Sequence, residues 1–115
     1  MDAVFNNSVP IYLQIVSEIK KQIISGKLVP GERIPSVREL ALTYKVNPNT
    51  MQKALIELEE EGLIKTERTN GKFVTEDEKI ITKIKNDYAE NLTQNYLSEM
   101  ISLGITKQEI KERIK

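Results

Sequence analysis

Residues 35–62, PSVRELALTYKVNPNTMQKALIELEEEG, contain two helix starts separated by a short joint. Ser36 stands where a side-chain oxygen caps a helix, and Glu39 completes a capping box, so a helix is predicted from Val37 to about Tyr44. Its inward stripe is Val37, Leu40 and Ala41, with Tyr44 a turn beyond, which leaves Arg38 on another face. Asn47 offers a second cap, and Pro48 takes the first helical position, where its missing N–H costs nothing. Met51, Ala54, Leu55 and Leu58 then fall at i, i+3, i+4 and i+7, so this helix packs along one seam and ends at Gly62. Only Lys45-Val46 joins the two helices. That spacing predicts a helix-turn-helix, which can present its second helix to a groove.

Upstream, Ile11, Leu13, Ile15, Val16, Ile19, Ile23 and Ile24 mostly recur three and four apart, so a helix is expected over residues 10–25 with Ser8 as its N-cap. Gly26-Lys27-Leu28-Val29-Pro30-Gly31 stops it in a structured loop, and Glu32-Arg33-Ile34 has room for a short strand before Pro35. Downstream, residues 63–68 and Lys72-Phe73-Val74 flank Asn70-Gly71, a strong hairpin signal. A hairpin directly behind a helix-turn-helix makes a winged helix. From Glu76 a long helical pattern carries Ile80, Ile81, Ile84, Tyr88, Leu92, Tyr96, Leu97, Met100 and Ile101. Gly104 ends it, and Thr106 with Glu109 opens a last short helix through Ile110 and Ile114. The fold class is therefore mainly α (α+β), with a winged helix-turn-helix over residues 1–75 and a two-helix region over residues 76–115.

Composition narrows the function. The 115 residues are 39% hydrophobic and 30% charged, enough apolar content for a folded core. Seventeen basic and seventeen acidic residues cancel, so attraction to a polyanion has to come from local placement of charge. With no His and no Cys, the commonest general base and the common transition-metal ligands are missing, which counts against an enzyme and against any metal or other cofactor. The absence of an 18-residue apolar run, and of a basic-then-apolar segment after Met1-Asp2-Ala3, predicts a soluble, cytoplasmic protein without membrane association.

GKLVPGERIPSVRELA, VNPNTMQKALIELEEEGLI and a glycine-containing wing ending in Phe73-Val74 resemble, in order, the DNA-binding domain of GntR-type bacterial transcription regulators over about residues 10–75. Pro10-Ile11-Tyr12 and the short helical tail resemble the YtrA-type branch, whose members carry a small helical dimerisation region. The resemblance implies that Arg38 contacts DNA, together with Asn47, Pro48, Asn49, Thr50 and Gln52 in the first turn of the recognition helix. Their chemistry agrees: Asn and Gln pair bidentately with adenine, Arg pairs with guanine, and a helix N-terminus favours phosphate. Capping explains Asn47 equally well, and the two roles are compatible. Lys53 suits the phosphate backbone, and Arg33 suits either the phosphate backbone or a role in fixing its own loop. In the wing, Arg68-Thr69-Asn70-Gly71-Lys72 keeps only the second glycine of the family pattern, so Arg68, Asn70, Gly71 and Lys72 are expected either to read the minor groove or to touch phosphate only.

Glu57, Glu59, Glu60 and Glu61 crowd the far end of the recognition helix; they repel phosphate, turn its N-terminal end toward DNA, and otherwise form a solvated face. Ile81, Ile84, Tyr88, Leu92, Tyr96 and Met100 form a stripe that a second copy of the chain would cover. The expected function is thus a homodimeric, sequence-specific regulator, a repressor rather than an activator, on a pseudo-palindromic double-stranded operator. An effector is either an unknown small molecule at the dimer interface or absent. A winged-helix protein-interaction module without base readout is the alternative.

Overall fold

A computed structural model describes residues 8–115 and orders them as α1 (Ile11–Ile24), α2 (Val37–Tyr44), α3 (Pro48–Glu60), β1 (Ile64–Glu67), β2 (Gly71–Val74), α4 (Glu78–Ser102) and α5 (Lys107–Arg113). The reading of Met1-Asp2-Ala3, and the first residues of the expected 1–75 domain, lie outside the described residues. By compactness the chain forms two units, one ending at Thr82 and the other spanning Lys83–Lys115, so the division falls inside α4. Among the described residues no helix is long and apolar enough to cross a membrane.

In the first unit α3 is the hub, with α1, α2 and β1 all packed on it. Its seam of Met51, Ala54, Leu55 and Leu58 is fully buried, and each large apolar side chain there contributes about 1.5–3 kcal/mol on burial. α1 answers with Ile15, Val16, Ile19 and Ile23, whereas Ile11 and Leu13 remain exposed. The expected cap of α1 is corrected. Pro10, not Ser8, occupies the N-cap, at φ −52° and without a side-chain cap. The first turn is held by Leu13 N and Gln14 N donating to Pro10 O, and by Gln14 Nε2 donating to Val9 O at 2.8 Å.

The capping box of α2 is present in both directions: Glu39 N donates to Ser36 Oγ, and Ser36 N donates to Glu39 Oε1, each at 3.2 Å. Of its stripe only Ala41 is fully buried; Val37, Leu40 and Tyr44 are half-buried. The helix closes with Val46 N on Ala41 O and Lys45 N on Leu42 O, and Lys45 takes a left-handed φ of +57°, the place where glycine is usual.

β1 and β2 pair antiparallel from Ile64↔Val74 to Glu67↔Gly71. The hairpin expected around Asn70-Gly71 forms, with its loop one residue earlier than the flanking runs suggested. Asn70 N donates to Glu67 O at 3.2 Å, and positive φ appears at Gly71 (+102°) rather than at Asn70, so Arg68, Thr69 and Asn70 form a three-residue loop. The strand expected at residues 32–34 shrinks to a bridge between Arg33 and Phe73, flanked by Ile34 N on Lys72 O and Val74 N on Glu32 O. Pro35, lacking an N–H, follows it and cannot extend the ladder.

Candidate nucleic-acid interface

Arg38 stands exposed on α2, and among the described residues it makes no ion pair or hydrogen bond. Its neighbour Glu39 is turned into the capping box of its own helix. At the start of α3, Asn47 Oδ1 accepts from Asn49 N at 2.7 Å, so its oxygen is a cap. Pro48 and Asn49 are exposed, and Thr50 and Gln52 are half-buried. Lys53 lies on the exposed flank with Nζ 4.1 Å from the centroid of the Tyr12 ring, a cation–π contact that ties α3 to α1. Nothing in the spacing of positions 12 and 53 announces that contact.

A second cluster forms where the start of α2 faces the hairpin. A cleft of about 420 Å³ is lined by Arg33, Ser36, Val37, Arg68, Gly71 and Lys72, among others, and so brings together four of the residues expected to touch DNA. Asn70 is not in its lining; its Nδ2 donates to Glu67 Oε2 at 3.3 Å. The Arg33 guanidinium lies over Gly71: a Cβ there would meet Nε at 3.2 Å and Nη2 at 3.3 Å. Gly71 therefore serves twice, supplying positive φ and leaving room for Arg33.

The acidic end of α3 is not merely a solvated face. Glu59 Oε1 accepts from Lys72 Nζ at 2.6 Å and Glu61 Oε1 from Lys20 Nζ at 2.8 Å, with both lysines largely covered. Lys72 also donates to Thr66 Oγ1 at 2.9 Å. The partners come from the wing and from α1, so only tertiary packing brings them to the glutamates. Lys72 faces the cleft edge with its ammonium already engaged, while Arg33 and Arg68 have no ion pair among the described residues.

The tail presents a different surface. α4 contains no buried residue. Ile81, Ile84, Tyr88 and Met100 are half-buried, and Leu92 and Tyr96 are 57% and 41% exposed. The helix ends in Gly104 N on Ile101 O and Ile105 N on Met100 O, the paired bonds of a Schellman closure. Thr106 and Glu109 then form the second reciprocal capping box, and Ile110 of α5 is buried.

Comparison with known proteins adds a family. The model described as bacterial regulatory proteins, gntR family, matches residues 11–74. The chain is 40% identical over 115 residues to the uncharacterized HTH-type transcriptional regulator YhcF of Bacillus subtilis, covering all of this chain and 95% of that protein. It is 47% identical over 73 residues to the HTH-type transcriptional repressor YtrA of the same species, covering 64% of this chain and 56% of that one. A GntR family transcriptional regulator from Listeria monocytogenes superposes with a TM-score of 0.91 at 46% identity, covering 96% of each chain. The DNA-binding domain of AraR, solved in complex with operator ORX1, superposes with a TM-score of 0.60 at 29% identity over 65% of this chain and 95% of that one. The relatives are regulators of transcription rather than enzymes, as the lack of His and Cys led one to expect. With the family model matched from the start of α1 to the end of β2, and a regulator 40% identical over the whole chain, the chain belongs to the gntR family of regulatory proteins.

Proposed function

We propose that the chain is a sequence-specific repressor that binds a pseudo-palindromic operator as a homodimer. The observation that carries this reading is the state of Arg38: an exposed side chain, free of partners among the described residues, on the helix before the one whose first turn displays Asn49, Thr50 and Gln52. Guanidinium and amide groups supply the bidentate donors and acceptors that distinguish bases in the major groove. Arg33 and Arg68 line the cleft beside the wing and suit phosphate contacts, which position the protein without reading sequence.

Residues 1–75 form the DNA-binding part in this reading and residues 76–115 the dimerisation part. A helix with no buried residue and an apolar stripe from Ile81 to Met100 favours association with the same stripe of a second copy. Two recognition helices then address half-sites about one helical turn apart. Occupying a promoter suffices for repression, YtrA carries the name of a repressor, and the site of action is the cytoplasm that holds the chromosome.

The test is selection from a random double-stranded DNA pool at about 150 mM salt, where non-specific attraction is weakened. An inverted repeat among the selected sequences is the expected result. A folded protein that selects no motif overturns the reading.

A further inference from the structure

α1 and α2 both pack on α3, and between them lies a cleft of about 360 Å³ that none of the proposed DNA contacts lines. That size falls among small-molecule pockets, which run about 300–1,000 Å³. Its walls are Ile19, Leu28, Ile34 and Leu40, and Ile19 and Ile34 are almost completely buried, so they are firmly seated in the core behind it. The polar groups are few and sit where a ligand could be oriented. Gln22 Nε2 of α1 donates to the Tyr44 hydroxyl of α2 at 3.3 Å, tying the two helices together at the cleft. Lys27, in the turn after α1, is exposed and makes no ion pair among the described residues. Burial pushes the Tyr44 phenol above its ordinary value of 10.0, against the opposing effect of the Gln22 hydrogen bond, so it is a neutral hydrogen-bonding group at pH 7. The acidic neighbour of that phenol, Glu18, does not line the cleft.

We propose that this cleft is a binding site for a small monocarboxylic acid with an apolar body, its body against Ile19, Leu28, Ile34 and Leu40 and its carboxylate at Lys27. Apolar walls with one unpaired cation at the edge fit that chemistry better than a sugar, which would leave hydroxyls unpaired, or an amine, which Lys27 would repel. Occupancy also has a route to the other face of the molecule. Leu40 and Tyr44 line the cleft, while Arg38 projects from the exposed face of the same short helix. An acid seated between α1 and α2 therefore acts on the orientation of Arg38. This last consequence rests on the proposed DNA reading, whereas the binding itself does not.

The experiment titrates the full chain with cinnamate and with cinnamyl alcohol, following amide NMR shifts and the heat of binding. Saturable shifts by cinnamate at residues 19, 28, 40 and 44 are the expected result, with a loss of about five- to tenfold in affinity in Lys27→Glu and little change for the alcohol. Thr43→Phe, at an exposed position of α2 on the cleft, abolishes binding of both compounds while the fold persists. Shifts confined to α4, no saturation, or cinnamate binding indifferent to Lys27→Glu overturns the proposal. A second arm measures affinity for the selected operator with and without cinnamate. A change of about fivefold or more couples the cleft to DNA, and an unchanged affinity overturns that coupling. Failure to bind any operator in either condition counts against the DNA reading alone, because the NMR arm contains no DNA.

Discussion

Arg38 illustrates how a residue can be released for function by what its neighbours do. Glu39, the nearest acid along the chain, closes the capping box with Ser36, so among the described residues the guanidinium makes no ion pair or hydrogen bond, and under the proposed function it gives up none to DNA. Arg38→Ala is accordingly expected to leave the thermal midpoint unchanged while weakening operator binding by about 1–3 kcal/mol, read from titrations of labelled operator. A matching fall in stability would mean that the side chain is structural. Lys45 tells the opposite story. At φ +57° it holds the turn between α2 and α3 in a conformation that L residues disfavour, and a β-branched side chain there is worse still. Lys45→Val is expected to cost about 1–2 kcal/mol in chemical denaturation, and Lys45→Gly to cost nothing or to stabilise.

At the scale of elements, the wing depends on one small residue. Gly71 combines a φ of +102° with the Arg33 guanidinium about 3.2 Å from where a Cβ would stand. Gly71→Ala therefore strains the backbone and displaces Arg33 together, a loss of more than about 1 kcal/mol by denaturation with broadened amide signals across residues 64–74. The short α5 depends on its cap. Hydrogen bonds from the Thr106 backbone and then its hydroxyl hold the Glu109 carboxyl below its ordinary value of 4.5. The folded form thus favours the carboxylate, so the contribution is present above pH 4.5 and is lost as the pH falls through the lowered value. The protection of amides 107–113 from exchange, taken relative to the unstructured rate at each pH, is expected to fall on acidification before that of α3 does, and Thr106→Ala to show the low protection already at pH 7. These caps were legible beforehand because a capping box is a local arrangement of residues three apart. The wing turn was legible only as a hairpin around Asn70-Gly71; that Arg68, Thr69 and Asn70 form its loop was decided by the pairing of Glu67 with Gly71.

For the whole molecule, the contrast is between a first unit with a buried core and an α4 that has no fully buried residue. Leu92, 57% exposed, has little folding energy to lose within one chain, so Leu92→Lys separates association from folding. Sedimentation equilibrium is expected to give a dimer for the parent and a monomer for this variant, with the melting of α1–α3 unchanged at equal concentration. A monomeric parent would remove the homodimer from the proposed function. What the sequence determined by itself was everything that repeats at short range: the helix seams at i, i+3, i+4 and i+7, the capping boxes at Ser36 and Thr106, the helix ends at Gly62 and Gly104, and the ordered motifs of the gntR family. Only the tertiary structure decided that Glu59 engages Lys72, that Glu61 engages Lys20, that Lys53 rests on Tyr12, and that a cleft remains between α1 and α2. The reason is physical: periodicity and capping are properties of a few neighbouring residues, whereas an ion pair or a void depends on where independently formed elements come to rest against one another.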